Sequence, residues 1–176
     1  MFNVVTKSGT TVEILTMFAV VLEKLKAELK EDYFVKATAE FEKRLSRFCN
    51  FNVICLDDKS IPDNPSPAEC NSVLQKEGEQ IMKKIGKGDV VVAMCIEGKT
   101  LSSEQLAEKL ADFQMRSSTI DFIIGGSLGL SDEVKKRADL KLSMSAMTFP
   151  HRIARLMLEE QIYRAFKINA NETYHK

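Results

Sequence analysis

The sequence predicts an α/β fold with a mostly parallel sheet flanked by helices, and three observations carry that expectation. Residues 51–56, 89–96 and 121–124 are short apolar runs rich in β-branched side chains, as strands buried on both faces require. Between them run longer segments with apolar residues at every third or fourth position, the spacing of a helix face. Helix start signals stand at the junctions, so strand and helix alternate, and right-handed crossovers follow.

Taken in order, the beginning offers two first strands, 2–6 with Gly9 in the following turn, or 12–20, and the second is the expected one. Leu22, Leu25 and Leu29 then read as helical. Phe34, Ala37, Phe41, Leu45 and Phe48 mark the next helix, with charges filling the gaps. Residues 57–66 form a loop. Ser66-Pro67-Ala68-Glu69 is a capping box with proline in the first turn, opening a helix to about Ile85, where Gly86 and Gly88 stop it. Ser102 or Ser103 starts a helix carrying Leu106, Leu110 and Phe113 on one face. Ser131-Asp132-Glu133 places a cap and two acids where the helix dipole favours them. A last helix runs from Pro150 to about Lys167 and is apolar on more than one face (Ile153, Leu156, Met157, Leu158, Ile162, Phe166). In a chain this size that pattern predicts a subunit interface.

A chain of 176 residues fits one domain, 1–176, able to bury a core without staples. The formal net charge is zero, so RNA binding would need a local patch, enlarged by a second subunit. Cys49, Cys55, Cys70 and Cys95 form no C-x-x-C pair, and His151 and His175 lie far from them, which predicts no metal site and no disulfide framework. Free cysteines suit a reducing cytosol. The apolar run 12–21 is interrupted by Glu13 and is far short of the ~20 residues of a membrane span, so a soluble, cytoplasmic protein is expected.

Chemistry is expected in the loops that follow buried strands. The first is 96–99. The second, Gly125-Gly126-Ser127-Leu128-Gly129, lacks the G-x-G-x-x-G spacing and any G-K-[ST] phosphate loop, so it is either a tight turn or a close approach to a ligand. The third, 143–151, mixes small hydroxyl residues, methionines and Phe149 before Pro150. It suits either an apolar, hydrogen-bonding ligand such as adenine or plain loop-to-helix packing. The terminal Tyr174-His175-Lys176 brings together a stacking ring, a titratable ring and a cation.

Four segments resemble one family in register. They are the 123–130 loop (I-I-G-G-S-L-G-L), the 142–151 segment (L-S-M-S-A-M-T-F-P-H), 160–166 (E-Q-I-Y-R-A-F) and the closing Tyr174-His175; Lys76-Glu77-Gly78-Glu79 and Glu97-Gly98-Lys99 match upstream. From about Tyr33 onward the chain is similar to the SPOUT-class pseudouridine N3-methyltransferases of large-subunit ribosomal RNA. The resemblance implies a SPOUT fold with a deep C-terminal trefoil knot, a homodimer, and S-adenosyl-L-methionine as cofactor. The implied cofactor contacts are Met94, Cys95, Gly125, Gly126, Met144, Ser145, Ala146, Met147, Thr148 and Phe149. The implied reaction is methylation of N3 of a pseudouridine in the helix 69 loop of 23S rRNA on assembled ribosomes, without a metal. Arg164, Tyr174 and His175 would serve the substrate in the partner subunit's site: His175 as base or as a hold on the base ring, Arg164 against developing negative charge, Tyr174 by stacking. His151, at a helix start, suits a structural or phosphate-contacting role. Residues 1–30 depart from the family, with no glycine-bearing turn before the first helix, and Met94-Cys95 replaces its leucine–aspartate pair. The rival readings are a SPOUT methyltransferase acting on another RNA and a non-catalytic α/β module binding RNA or nucleotide.

Overall fold

The computed structural model describes the backbone of residues 5–8, 11–14, 16–23, 32–57 and 63–174, and side chains from Tyr33 to Leu56 and from Asp63 to Tyr174. Among the described residues twelve elements follow in chain order: β1 (Val5–Ser8), β2 (Thr11–Ile14), β3 (Thr16–Glu23), α1 (Asp32–Leu45), β4 (Asn50–Asp57), α2 (Pro67–Met82), β5 (Val90–Thr100), α3 (Ser103–Arg116), β6 (Thr119–Ile124), α4 (Asp132–Arg137), β7 (Leu140–Ser143) and α5 (His151–Asn169). Strands β1 and β2 form a separate antiparallel pair. The other five strands make one parallel sheet in the order β4-β3-β6-β5-β7.

Side chains alternate across a strand, and here each face of the sheet has its own helices to meet. Val90 and Val92 of β5, with Ile120, Phe122 and Ile124 of β6, pack against Leu45 of α1, Leu110 and Phe113 of α3, and Leu158, Ile162 and Phe166 of α5. Val91, Ala93 and Ile123 face the other way, onto Ile81 of α2 and Val134 of α4. All six residues of β6 are buried. At roughly 1.5–3 kcal/mol per fully buried large apolar side chain, these two clusters supply the main driving force for folding. Asp121 is the one ionisable residue of β6: it is fully buried, and neither carboxyl oxygen has a regular hydrogen-bond partner.

Local chemistry fixes the helix starts. Ser66 caps α2 in a reciprocal box with Glu69, its N–H donating to Glu69 Oε2 at 2.8 Å. Ser102 does the same for α3 with Gln105, its N–H donating to Gln105 Oε1 at 3.0 Å. Ser131 Oγ accepts from the Val134 N–H at the start of α4. Helix α2 ends at Met82, a turn short of the expected Ile85, and Gly86 instead donates its N–H to Asp89 Oδ2 at 2.6 Å.

Three expectations are corrected by the backbone. The single strand 12–20 is replaced by β2 and β3, and β1 overlaps the alternative strand 2–6. Leu22, expected in a helix, lies in β3; Leu25 and Leu29 lie outside the described residues. The segment 96–99, expected as a loop, continues β5 to Thr100. Met94 and Lys99 both stand opposite Leu142 of β7, so the residues between them bulge out of the ladder.

Candidate functional site

Because β5, β6 and β7 run parallel, their C-terminal ends open on one side of the sheet, and the three expected segments converge there. They enclose a cleft of about 600 Å³ lined by residues 94–97, 124–130, 142–145 and 147–151, together with Lys135 and Ala154. That volume lies within the range of small-molecule sites, and the walls are mainly apolar with a few polar groups.

The glycine segment is a turn closed on itself. Gly129 donates its N–H to the Gly126 carbonyl at 3.0 Å and adopts φ +82°, a left-handed conformation that favours glycine. A Cβ on Gly125 would stand 2.4 Å from the Gly129 carbonyl oxygen. The turn itself therefore demands glycine at 125, and Gly126 joins Gly129 in an isolated bridge. Of the two readings open for this segment, the tight turn is realised, and it also forms a wall of the cleft.

The bulge in β5 is held by close backbone contact. A Cβ on Gly98 would lie 2.7 Å from the Leu142 carbonyl carbon and 2.8 Å from the Leu142 nitrogen. This approach leaves Met94, Cys95, Ile96 and Glu97 on the cleft. After β7, the hydroxyl of buried Ser143 donates to the Ser145 carbonyl at 2.9 Å, and Ser145 Oγ accepts from the Met147 N–H at 3.1 Å. These two bonds shape the 143–149 segment, which leaves Met147 67% exposed at the rim. Of the expected cofactor contacts, Met94, Cys95, Gly125, Gly126, Met144, Ser145, Met147, Thr148 and Phe149 line the cleft, and Ala146 does not.

Charge is scarce in the cleft. Burial first, and the nearby Glu97 carboxylate second, raise the Cys95 thiol above its ordinary range, so it stays neutral. Glu97 accepts from Lys135 Nζ at 2.5 Å, and that bond above all holds its carboxyl below the usual value. Sequence reasoning placed Glu97 in the first of the three candidate segments but missed Lys135, which sits on α4 and which only folding brings to the bulge. His151, the first residue of α5, lines the cleft and is half-buried.

Two of the expected substrate-handling residues, Arg164 and Tyr174, lie elsewhere. Arg164 is ten positions beyond Ala154 on α5, about 15 Å further along the helix axis. It does not line the cleft, and neither does Tyr174. The two are held together: the Arg164 guanidinium stands 4.8 Å from the Tyr174 ring centroid, and Tyr174 packs edge-on to Tyr163 at 4.9 Å. Glu160 organises both, accepting from Arg164 Nη2 at 2.5 Å and from the Tyr174 hydroxyl at 3.1 Å. Gln161 donates to the other Glu160 oxygen at 2.7 Å and accepts from Ser103 Oγ of α3 at 2.7 Å. Burial first, then the Glu160 carboxylate, raise the Tyr174 phenol, whereas the Glu160 hydrogen bond raises Arg164. Glu160 opens the 160–166 segment, and the expectation that cations of this helix pair with Glu159 and Glu160 is met by Arg164 at i, i+4 spacing. His175 lies outside the described residues.

Among the described residues, no group of three or more His, Cys, Asp or Glu could hold a metal ion, and no helix is long and apolar enough to cross a membrane. Residues 24–175 match the family model described as "Predicted SPOUT methyltransferase", starting ahead of Tyr33. Over 150 residues, 85% of this chain and 94% of the relative, the chain is 51% identical to the ribosomal RNA large subunit methyltransferase H of Clostridioides difficile strain 630. A protein of the same name from Streptococcus thermophilus strain CNRZ 1066 is 51% identical over the same shares. Another, from Carboxydothermus hydrogenoformans, is 50% identical over 85% of this chain and 94% of its own length.

Proposed function

The chain belongs to the SPOUT methyltransferase family, and from that premise we propose that it transfers the methyl group of S-adenosyl-L-methionine to N3 of a pseudouridine in the helix 69 loop of 23S ribosomal RNA. The substrate would be the assembled ribosome in the cytoplasm. Half-identity to relatives named ribosomal RNA large subunit methyltransferase H supports the ribosomal target. The observation that carries the reading is the cleft at the ends of β5, β6 and β7, in which nine of the ten expected cofactor contacts meet.

The residues present fit the cofactor. Leu128, Leu130, Met144 and Phe149 offer apolar faces to a flat heterocycle, and the cleft also brings main-chain groups of the glycine turn and the hydroxyls of Ser143 and Ser145. When bound, the cofactor supplies a methyl group already activated by its sulfonium, so no metal and no covalent intermediate is required. The chain's own work is then alignment and removal of the N3 proton. Arg164 places a fixed positive charge against the negative charge that develops on the imide, Tyr174 stacks on the base, and His175 takes the proton or holds the ring. Within one protomer Arg164 and Tyr174 stand off the cleft, which supports a homodimer in which they complete the partner's site. The half-exposed Met157 of α5, with Ile96 and Met147 at the cleft rim, are the apolar surfaces such an interface would cover. The C-terminal knot of the family belongs to the same reading.

The test is transfer of labelled methyl from the cofactor to 70S ribosomes lacking this modification, followed by nucleoside mass spectrometry. Label appearing as N3-methylpseudouridine in the helix 69 loop is the expected result. Cofactor binding without transfer would move the substrate to another RNA, and absence of binding would leave a non-catalytic module.

A further inference from the structure

Among the described residues lining the cleft, formal charge is confined to one corner. Glu97, on the bulge of β5, and Lys135, on α4, face each other there at 2.5 Å, and every other lining residue is apolar, hydroxyl-bearing, glycine, a thiol or histidine. The pair is not sealed in the core: the Lys135 side chain is 25% exposed and that of Glu97 56%. Ion pairs this exposed contribute little to stability and open at small cost. No other residue of this protomer's cleft explains why a cation and an anion should be brought together at the edge of an otherwise uncharged wall.

Resting on the cofactor reading above, we propose that Lys135 and Glu97 form the subsite for the amino-acid end of the cofactor, Lys135 receiving its α-carboxylate and Glu97 its α-ammonium. A zwitterion carries the two charges one carbon apart, and a neighbouring ammonium and carboxylate of the protein match it with opposite signs. Inserting the zwitterion exchanges one ion pair for two charge-assisted contacts and leaves the net charge of the corner unchanged. The apolar and main-chain surfaces of 124–130 and 143–149 remain for the nucleoside, which has no formal charge to place. The division explains why the β5 bulge exists: it carries Glu97 out of the ladder toward α4. The same bulge is fixed by the close approach of Gly98 to β7.

The experiment is calorimetric titration of the intact protein with S-adenosylhomocysteine, which has the amino-acid end, and with methylthioadenosine, which lacks it. Lys135→Met and Glu97→Gln should each weaken S-adenosylhomocysteine roughly 10- to 100-fold, the range for loss of a charge-assisted bond. Methylthioadenosine should change less than about twofold, and Lys135→Arg, which keeps the charge, should retain most of the binding. Equal weakening of both ligands, or of neither, overturns the subsite. Failure of the unmodified protein to bind either ligand would instead refute the cofactor reading, so the two failures are distinguishable.

Discussion

Replacing Gly98 with alanine tests whether the cleft depends on backbone contact between β5 and β7. The new methyl would sit 2.7 Å from the Leu142 carbonyl carbon and 2.8 Å from both the Leu142 nitrogen and the Lys141 carbonyl carbon. Ordinary contact begins near 3.4 Å, so the strands must separate by about 0.7 Å, and backbone atoms cannot swing aside as a side chain would. Overpacking of this kind costs about 1–3 kcal/mol. Parting the Lys99–Leu142 and Thr100–Ser143 pairs adds about 1 kcal/mol per hydrogen bond lost. A total of roughly 2–4 kcal/mol follows, and with a urea slope of roughly 2 kcal/mol/M the unfolding midpoint falls by about 1–2 M. Gly88→Ala is the matched control, because its Cβ would meet nothing within 4 Å; its midpoint should stay or rise slightly, since alanine narrows the unfolded ensemble. Urea unfolding followed by circular dichroism measures both. A Gly98→Ala midpoint within about 0.3 M of the parent, or equal loss in the two variants, would refute the reasoning.

Three further outcomes are expected. Arg155 of α5 is largely buried and bridges Glu159, whose side chain is 1% exposed, and Glu42 of α1; Arg155→Met should cost roughly 3–5 kcal/mol by leaving Glu159 without its cation, and adding Glu159→Leu should recover most of that in the same urea assay. Burial first, then the Asp89 carboxylate, push Asp121 up to about 8, so the folded state holds a proton that the unfolded chain releases near pH 4. Its stabilisation is therefore complete in strong acid and is lost as pH rises to about 8. Asp121→Asn should flatten this dependence and gain most at pH 8, and identical pH profiles for parent and variant would contradict it. Glu160→Gln removes a cause that holds the Tyr174 phenol high, so Tyr174 should ionise at lower pH in ultraviolet difference titration against Tyr174→Phe. Methyl transfer should slow roughly tenfold, about 1.4 kcal/mol of barrier, with cofactor binding retained.

Much of the sheet was legible because a parallel strand buried on both faces leaves an unmistakable apolar run, as β6 and the first half of β5 do; β4, at the sheet edge and only half-buried, keeps an apolar run as well. Helix starts were legible for a different reason: Ser66, Ser102 and Ser131 act within three residues of themselves, so local sequence contains the whole interaction. What stayed hidden is non-local. That 96–99 would continue β5 depends on Leu142, more than forty positions away, accepting both Met94 and Lys99 as neighbours. Lys135 reached the cleft through the packing of α4, and nothing in its own segment marks it. Residues 12–20 read as one strand because apolar content cannot say that β2 pairs with β1 while β3 joins the parallel sheet. The cofactor segments were found by motif, yet Gly125 proves to be required by its own turn, a role that the motif does not distinguish from ligand contact.

The parallel order of β5, β6 and β7 also governs when the cleft can exist. Its walls are supplied by three segments that leave the site of synthesis in sequence, beginning at Met94 and ending near Pro150. At roughly 5–20 residues per second, about 3–11 s separate the first wall from the last. Until β7 is made, late in that interval, β5 has no neighbour on that side, and its apolar residues are open to other nascent strands. A ligand cannot rescue the chain in this period, because no complete binding surface has yet been made. Slowing translation between β6 and β7 should therefore raise aggregation more than the same pause placed after α5.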